Sequence, residues 1–335
     1  MKRTTIKDVA GMANVCIATA SLALNNKPGV SEHVRKKVLA AAAELQYVPN
    51  TNARSLRTNK TKCIGIIVTD LSNPYFSGLV NEICNKAEKI NYDTIIVVSN
   101  DDIAKEKKCI DLLMARGVDG IIITPPCDEN MEKGTSNYYI LDDLSIPYVF
   151  CTMDLATVNG YSVMCDLDEG EYQLISHLLE RGCKKISMIT TPFSYRPSLL
   201  RYQGYKRAHE EAGIPVDTGN LHFIPYPNYA DGYAITDEVW ATRPDAIVTI
   251  NDFVAMAVLK RLYEQKVRVP IDVSVAGYDD LLLCEQLVVP LTTVRQPLGD
   301  LAGASLEILM RLMNNEPSEK KIILNSVLKV RSTTR

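Results

Sequence analysis

From Lys62 onward, short apolar runs alternate regularly with stretches of helical spacing. Most of these runs are apolar at consecutive positions and rich in Ile and Val. A strand that is apolar on both faces needs a covering layer on each side, as parallel strands connected by helices have. The alternation therefore predicts an α/β core built on parallel sheets. The predicted strands are "CIGIIVTD", "TIIVVSN", "GIIITP", "YVFCT", "SVMCD", "KISMITT", "LHFIPY", "AIVTIND" and "VSVAGYDD".

So many strands exceed one comfortable sheet, so we expect the core to contain two similar α/β subdomains. The strand–helix rhythm begins again near residue 162, and the closing stretches "PLTTVRQP" and "KIILNSVLKVRSTTR" are expected to return strands to each half. We therefore predict an N-terminal core subdomain of residues 62–161 plus 292–321. The C-terminal core subdomain is predicted to comprise residues 162–291 plus 322–335.

Polar residues stand at the carboxyl ends of most of the predicted strands. In open α/β sheets, ligands bind beyond those ends, so two such edges facing each other would form a polar cleft. Each residue also has a purely structural alternative, since Asn251 or Asp252 could cap the helix that follows. The polar strand-end residues are Asp70, Asn100, Thr124, Thr152, Asp166, Thr191, Asn251 and Asp279.

The first 60 residues differ from the rest of the chain in charge. They hold ten basic and three acidic side chains, a net charge of +7, whereas the whole chain carries −3, so the other 275 residues carry −10. A small basic segment on a larger acidic body is what local phosphate binding needs.

Residues 1–48 are predicted to form three short helices. Thr5 and Asp8 have the spacing of a capping box, and Ser31 is the expected N-cap of the third helix. Two helices joined by a short turn form a helix-turn-helix, which predicts a DNA-binding domain. A small three-helix bundle that binds no DNA is the alternative. The third helix is expected to bury Val34, Val38, Leu39, Ala42 and Leu45.

Other classes of protein lack support in the sequence. Nine cysteines without a C-x-x-C pair and four histidines without ligand spacing predict reduced thiols, no metal and no cofactor. A sugar kinase or hydrolase would need a phosphate loop or a nucleophile motif, so neither an enzyme nor catalytic residues are expected. A transport-type solute-binding protein would need an export signal. The first 30 residues lack such a signal and no apolar run has the length of a membrane span, so we expect a cytoplasmic protein without a membrane partner.

A series of stretches along almost the whole chain resembles the lactose-repressor (LacI/GalR) family of bacterial transcription regulators. The resemblance implies a homodimer or tetramer that binds palindromic operator DNA. It also implies two Rossmann-like core subdomains of the periplasmic-binding-protein type. No leucine-rich heptads follow the last motif, so a dimer is favoured. The stretches are "TIKDVA", "TASLALN", "VSEHVRKKVLAAAAELQYVPNTNARSL", "NPYF", "RGVDGIII", "RYQGY", "ND", "VPIDVSVAGYDD", "PLTTVRQP" and "VRST".

The resemblance implies that the second helix reads the operator. Ile17, Ala18 and Leu22 would offer mainly apolar contacts, which suit thymine methyl groups. Leu22 stands where many members of the family have Arg or His, so the half-sites are expected to differ from those of guanine-reading members. Cys16 replaces the usual Ser and is a poor N-cap. The other predicted DNA-contacting residues of this domain are Thr5, Ile6, Thr19, Ser21, Asn25 and Ser31.

Residues 49–61 are predicted to be a hinge helix and linker. In the family, the segment matching Asn50–Leu56 forms a helix only on operator DNA, and a segment of this length is too short for a stable free helix. Ala53 and Leu56 share one helical face, so two such helices in a dimer would wedge each Leu56 into the minor groove. Arg54 would meet a phosphate. A flexible solvated linker is the alternative for the free protein.

The resemblance also implies an effector site in the core. Tyr75 and Phe76 offer aromatic faces for the apolar side of a sugar or base ring, and Asn251 and Asp279 match positions that bind effector hydroxyls or ring nitrogens. Thr152 stands where the family often has a carboxylate. The predicted effector-contacting residues are Tyr75, Phe76, Thr124, Arg196, Arg201, Asn251 and Asp279.

The arginine that often contacts the ligand in the family has no direct counterpart in this chain. It commonly stands five residues before the Gly of "RYQGY", where this chain has Leu199. Arg196 or Arg201 is expected to substitute, and Arg201 could equally be structural.

These observations predict a sequence-specific DNA-binding regulator, in the first place a repressor. Its operator affinity would be controlled by a small molecule, a sugar or related metabolite, bound between the two core subdomains. Activation instead of repression stays open, as does the question whether the effector releases or promotes DNA binding.

Overall fold

Two units make up the chain in the computed structural model, the head (Met1–Thr61) and the core (Lys62–Arg335). The structure describes residues 4–47, 60–126, 135–155 and 157–335. Of the predicted hinge helix and linker, only residues 60 and 61 are described. The predicted contacts of Asn50, Ala53, Arg54 and Leu56 therefore lie outside the described residues and stay predictions.

Three helices form the described part of the head: α1 (Ile6–Met12), α2 (Ile17–Leu24) and α3 (Glu32–Glu44). Their core consists largely of alanine, which lets short helices approach closely. Ser31 caps α3, since its hydroxyl oxygen accepts a hydrogen bond from the Val34 amide at 3.4 Å. The buried residues are Val9, Ala10, Ala13, Ala20, Ala23, Val38, Ala41 and Ala42.

The expectation that Leu39 belongs to this core is wrong, because its side chain is 47% exposed. Successive helical residues point about 100° apart, so a core that takes Val38, Ala41 and Ala42 turns position 39 towards solvent.

Among the described residues, the first sheet of the core has six strands, all parallel. They are β1 (Cys63–Val68), β2 (Asp93–Val98), β3 (Gly120–Ile123), β4 (Tyr148–Thr152), β5 (Tyr161–Cys165) and β11 (Lys321–Leu324). Their spatial order is β11-β5-β4-β3-β1-β2.

In the described part of the chain, the second sheet has four parallel strands in the order β7-β6-β8-β9. They are β6 (Ile186–Thr190), β7 (Leu221–Phe223), β8 (Ala246–Thr249) and β9 (Ser274–Ala276). Two further strands, β10 (Thr293–Arg295) and β12 (Val327–Lys329), pair with each other in antiparallel orientation.

Helices connect the strands and cover the sheets, as apolar parallel strands require. They are α4 (Pro74–Lys89), α5 (Ile103–Ala115), α6 (Ser136–Asp143), α7 (Leu167–Glu180), α8 (Arg196–Glu211), α9 (Tyr229–Ala241), α10 (Asp252–Glu264) and α11 (Leu298–Met313). Among the described residues, no single helix is long and apolar enough to cross a membrane. Helices α1 and α2, whose axes are bent by 100° relative to each other, pass this test of length and composition only when they are counted as one segment.

The predicted limits of the two core subdomains differ from the observed sheets. The limit between residues 161 and 162 cuts β5, which belongs entirely to the first sheet. The limit between residues 321 and 322 likewise cuts β11, which pairs with β5. Strand β10 was expected in the first half, yet bridges join Ala276 to Thr292 and Asp279 to Arg295 beside the second sheet. Hydrogen-bond partners from distant parts of the chain decide which sheet a strand joins, and apolar patterning does not identify those partners.

Candidate functional site

A cavity of ≈ 980 Å³ lies in the core, lined by residues from the carboxyl ends of strands in both sheets. Parallel strands bring their carboxyl ends to one edge, which is why residues far apart in the chain meet here. Asp166, a further polar strand-end residue, does not line the cavity. Its carboxylate accepts a hydrogen bond from the Glu169 amide at 3.0 Å and caps α7. The polar strand-end residues that line the cavity are Asp70, Asn100, Thr124, Thr152, Thr191, Asn251 and Asp279.

Of the two candidate arginines, Arg201 lines the cavity and Arg196 does not. Arg201 is 5% exposed and its guanidinium lies 4.1 Å from the centre of the Tyr278 ring. Its Nη2 atom is 3.7 Å from Asp279 Oδ1, which is an ion-pair distance but too long for a hydrogen bond.

Arg196 is occupied elsewhere, so its prediction as an effector-contacting residue is wrong for the cavity in this structure. Its Nη1 atom lies 2.7 Å from Asp154 Oδ1 and also donates to the Asp154 carbonyl oxygen at 2.7 Å. Lys321 donates to the same carboxylate at 2.7 Å. Although burial acts to raise the pKa of Asp154, Lys321 and Arg196 together hold that pKa below its usual value. Asp154 is therefore paired with Arg196 and Lys321, and it does not line the cavity.

A chain of hydrogen bonds links three of the residues that line the cavity. The Tyr75 hydroxyl donates to Gln296 Oε1 at 3.1 Å, and Gln296 Nε2 donates to Asp279 Oδ1 at 2.8 Å. Tyr75 begins α4 beside the first sheet, whereas Asp279 follows the last strand of the second sheet. This chain thereby joins the two halves of the core directly.

Asp279 is buried and burial raises its pKa to about 8, with the Arg201 charge acting in the opposite direction. Its backbone has φ 116°, and Thr152 on the opposite side has φ 76°. Residues with a side chain rarely adopt this left-handed region, and such strain concentrates at ligand-binding sites.

Two of the predicted effector residues already have partners. Asn251 caps α10, since its Oδ1 atom accepts from the Val254 amide at 2.8 Å while its Nδ2 atom donates to the Pro227 carbonyl at 2.9 Å. The Thr124 hydroxyl accepts from the Thr69 amide at 3.1 Å and donates to the Ile67 carbonyl at 3.2 Å. Both residues line the cavity, and both hold its wall together.

Aromatic rings form another part of the lining. Tyr75 and Phe76 meet edge to face, with ring centroids 5.1 Å apart, and Tyr195 and Tyr226 complete the aromatic set. Trp240 lies away from the cavity against the apolar cluster behind the second sheet.

In the head, α2 exposes the side chains expected to read bases. Ile17 is 44% exposed and Ala18 is exposed, whereas Leu22 is half-buried. Thr19 and Ser21 are also half-buried, and Asn25 is exposed. No side-chain hydrogen bond caps the first turn of α2 at Cys16, in agreement with the expectation that Cys16 is a poor N-cap.

Neighbouring polar residues hold the ends of the head's helices. Thr5 donates its amide to Asp8 Oδ2 at 2.7 Å, and Asn25 donates its side-chain amide to the Ser21 carbonyl at 2.7 Å. Arg35 ties α3 to the end of α2 by donating to the carbonyls of Ala23 and Lys27. Arg35 therefore serves the fold of the head.

Comparison with known proteins finds matches both for the head and for the core. The description "Bacterial regulatory proteins, lacI family" matches residues 5–50, and "Periplasmic binding protein-like domain" matches residues 175–334. The HTH-type transcriptional repressor PurR of Vibrio vulnificus is 31% identical over 99% of this chain and 98% of its own length. The chain belongs to the lacI family.

Solved structures extend this likeness to the fold. The Lac repressor dimer bound to operator and the anti-inducer ONPF matches with a TM-score of 0.88 and 26% identity, covering 99% of both chains. A LacI family transcriptional regulator from Enterococcus faecium with bound ribose matches with a TM-score of 0.73 and 27% identity, covering 81% of this chain and 98% of that one. The predicted family, the fold class and the general function, a DNA-binding transcriptional repressor with an effector-binding core, are confirmed.

Several residues of this lacI-family cavity escaped the sequence prediction, notably Gln296, Asn73 and Tyr195. Gln296 lies inside "PLTTVRQP", which contributed to the resemblance, but no strand or helix pattern points to its side chain. Asn73 precedes "PYF" and was detectable as a helix cap, because its side chain accepts from the Tyr75 amide at 3.0 Å. Within the described ranges, no group of three His, Cys, Asp or Glu side chains is arranged to hold a metal ion.

Proposed function

We propose that this lacI-family chain binds operator DNA as a homodimer and that a sugar or related metabolite in the core cavity controls its affinity. The observation that carries the proposal is the combination of a nearly buried guanidinium, a buried carboxyl group and aromatic rings around one cavity. Aromatic faces pack on the apolar face of a sugar, while charged hydrogen-bonding groups fix its hydroxyls.

Arg201 and Asp279 are the proposed polar contacts of the effector. Arg201 Nε has no hydrogen-bond partner among the described residues, and an unsatisfied buried donor is costly unless a ligand or water meets it. Tyr75 and Phe76 are the proposed stacking surface. Thr124 and Asn251 are proposed to contact the ligand through groups that also hold the wall. The ribose-bound regulator from Enterococcus faecium supports a sugar-like ligand for this cavity.

The hydrogen-bond chain Tyr75–Gln296–Asp279 supports a coupling between ligand and lobe arrangement. A ligand that replaces or strengthens one bond of the chain acts on both halves of the core at once. Such a ligand shifts the equilibrium between lobe arrangements by its difference in affinity for them.

In the head, we propose that α2 lies in the major groove. Ile17, Ala18 and Leu22 would contact bases, with thymine methyl groups as the preferred partners. The remaining residues would position the helix on the sugar–phosphate backbone. They are Thr5, Ile6, Thr19, Ser21, Asn25 and Ser31.

An apolar segment of the core supports the homodimer. Leu282, Leu283 and Val288 are 78%, 48% and 103% exposed in the single chain. Apolar side chains clustered on a surface favour association with another protein surface. We propose that a second copy covers this segment, which makes a two-fold contact and matches the symmetry of a palindromic operator. The proposed place of action, operator DNA, puts the protein in the cytoplasm and makes it a regulator, not an enzyme.

Selection from random duplexes tests the DNA-binding part of the proposal. Full-length protein should enrich palindromic sequences, and the logarithm of its affinity should fall linearly with the logarithm of salt concentration. Failure to enrich any sequence, or a flat salt response, would contradict the role of the basic head.

A second assay tests the effector. Sugars, nucleobases and phosphorylated metabolites are screened for a change in affinity for the selected duplex. At least one sugar-like compound should change that affinity and raise the melting temperature of the core. If none does, the cavity has no regulatory ligand of this class.

The dimer is tested by Leu282→Glu combined with Val288→Glu. Sedimentation should show a monomer with unchanged melting of the head and strongly reduced operator affinity. A variant that remains dimeric would place the interface elsewhere.

A further inference from the structure

The charged side chains that line the cavity are mostly acidic. Among the described lining residues, Arg201 is the one cation, whereas Asp70, Asp101, Asp102 and Asp279 are acids. Arg201 already faces Asp279, since its Nη2 atom lies 3.7 Å from Asp279 Oδ1. Even when Asp279 holds a proton, three acidic side chains remain against one guanidinium. The described lining therefore has no surplus of positive charge to offer an anionic ligand.

The helix N-termini at the cavity do not supply the missing positive charge. In many α/β proteins, free amide groups at a helix N-terminus bind phosphate. In this core, the residue before each of α4, α5, α9 and α10 lines the cavity, and its side-chain oxygen accepts from an amide of the same helix at 2.7–3.0 Å. A phosphate at these helix ends would therefore meet an oxygen that is already in place. The capping residues are Asn73, Asp102, Asn228 and Asn251.

Other hydrogen-bond donors around the cavity are also used within the protein. The Ser198 amide at the start of α8 donates to the Tyr195 carbonyl at 3.0 Å, and Pro197 beside it has no amide hydrogen. The Ser72 hydroxyl donates to Asp70 Oδ2 at 2.8 Å. Each of these bonds occupies a donor that a ligand phosphate would need. The lining side chains that likewise donate to protein oxygens are Tyr75, Thr124, Asn228, Asn251 and Gln296.

Asp70 and Asp102 add acceptor oxygens to the lining. They follow β1 and β2, which are neighbours in the first sheet, and both residues are exposed. Asp70 accepts from the Ser72 amide at 2.7 Å and from the Ser72 hydroxyl at 2.8 Å, and Asp102 accepts from the Lys105 amide at 2.7 Å. All three donors are uncharged, and a carboxylate has room for further hydrogen bonds. Ligand hydroxyl groups can donate those bonds, whereas phosphate oxygens are acceptors.

We propose that the cavity selects an uncharged polyhydroxyl ligand, that is a free sugar, and excludes the phosphate esters of that sugar. Asp70 and Asp102 are the specificity-determining residues, since they accept from ligand hydroxyls and repel a phosphate. The inference rests on the proposed effector site and narrows its ligand class. A phosphate group carries a charge of about −1.5 to −2 near neutral pH. Removing it from water is costly without cations to pair it, and one guanidinium that already faces an acid offsets only part of that cost.

The test compares each sugar with its own phosphate ester in calorimetric titrations of the full-length protein. Ribose and glucose are the first pairs, each with the ester of its primary hydroxyl group, followed by every sugar of the effector screen. A free sugar that binds should bind at least about a hundredfold more tightly than its ester, because the ester must lose the hydration of its phosphate.

The variant Asp70→Asn combined with Asp102→Asn tests the two carboxylates. Asparagine keeps the shape and the capping oxygen of aspartate but not its charge. The preference for the free sugar over its ester should fall about tenfold, and this fall should be smaller at high salt, because salt screens the repulsion between exposed charges. The matched control is Asp93→Asn combined with Asp143→Asn, which changes two exposed acids of the same half that do not line the cavity. Its preference should equal that of the wild type.

The outcomes separate this inference from the proposed function. An ester that binds as tightly as its free sugar overturns the inference and leaves the proposed effector site in place. An unchanged preference in the variant at Asp70 and Asp102, or an equal fall in the control, also overturns it, because the two carboxylates then do not select the ligand. If no sugar and no ester binds, the proposed function fails as well. The wild-type comparison needs no variant, so it decides even where a substitution impairs folding.

Discussion

Most candidate contact residues of the described head lie in or next to α2, a helix of eight residues, while Thr5 and Ile6 lie at the start of α1 and Ser31 precedes α3. All of them are exposed or half-buried. Those of the core come from strand ends and from two helices spread over more than two hundred residues, and Arg201, Asn251 and Asp279 are nearly fully buried. The head therefore presents a surface whose chemistry depends on side-chain identity. The core encloses a cavity whose chemistry depends on the strands and helices that hold its lining side chains in place.

This difference predicts how each region responds to substitution. An exposed contact residue can change DNA affinity while the free energy of unfolding stays nearly constant. A buried residue in the cavity wall has two functions at once, as Asn251 and Thr124 show by holding backbone groups together. Substitutions there should alter stability and binding together.

Leu56→Ala should give the largest effect and should fall on DNA binding alone. Leu56 lies outside the described residues, and the expectation rests on the predicted wedge in the minor groove. Loss of two buried leucine side chains per dimer should cost about 3 kcal/mol, roughly a hundredfold in operator affinity. Anisotropy measurements with the selected duplex check this. An unchanged affinity would show that Leu56 does not insert into the minor groove. A lowered melting temperature of the core would show that the substitution affects more than DNA binding.

Gly204→Ala should destabilise the core without any direct effect on the head. A Cβ atom at this position would stand 2.1 Å from the Asp168 carbonyl oxygen, because α7 and α8 approach closely there. Backbone cannot yield as a flexible side chain does, so the expected cost is about 3 kcal/mol in the free energy of unfolding. Urea unfolding of the full chain measures it. A cost below about 1 kcal/mol would mean that the two helices can separate.

Glu106 should make the stability of the core fall as the pH rises. It is fully buried, accepts hydrogen bonds from the Tyr138 hydroxyl at 2.8 and 2.9 Å, and burial raises its pKa to about 7. A folded-state pKa above the unfolded one means that the folded chain binds more protons. The free energy of unfolding should therefore decrease between about pH 4.5 and about pH 7, by about 3 kcal/mol at most.

Glu106→Gln should flatten that decrease, as urea unfolding at several pH values would show. The matched control is Glu88→Gln, which changes an exposed acid of the same half. If the wild type and the Glu106 variant show the same dependence on pH, Glu106 is not the titrating group.

Arg201→Met and Arg196→Met form a matched pair on one helix. Loss of Arg201 should weaken binding of the sugar found in the screen by about 2 kcal/mol, or roughly thirtyfold, because a charged hydrogen bond disappears from a buried site. Loss of Arg196 should lower stability through Asp154 and leave sugar affinity close to that of the wild type. Calorimetric titration decides. Equal effects of the two substitutions would contradict the observed division of their roles.

Gly11→Ala should give the smallest effect and the opposite sign. Nothing lies within 4 Å of a Cβ atom at this position of α1. Alanine restricts the unfolded chain and favours the helix, so the head should gain about 0.5–1 kcal/mol in stability. Thermal unfolding of the head followed by circular dichroism checks this. A loss of stability would show that even the head's surface is constrained by packing.

Much of the fold follows from local patterns that the sequence displays. Consecutive apolar residues in β1 and β3 indicate strands covered on both faces, and the polar residue after each strand indicates one functional edge. The Ser31 cap is equally local. Each depends on neighbours within a few positions, which is why a single sequence reveals them.

The wrong prediction for Leu39 and the failure to predict Gln296 have a common cause. Leu39 shares the apolar character of its neighbours, and only the packing of three helices turns it outward. Gln296 carries no periodic signal, and its role arises from Tyr75 and Asp279, which lie 221 and 17 positions away.

The amino-acid sequence by itself determined the alternation of parallel strands and helices, the charge division between head and core, and the row of polar residues at the strand ends. The tertiary structure alone decided that β11 joins the first sheet and that Arg201 lines the cavity while Arg196 pairs with Asp154. Local patterns follow from the geometry of short chain segments. The partners of a buried charge depend on which distant segments the fold brings together, and burial makes that choice energetically decisive.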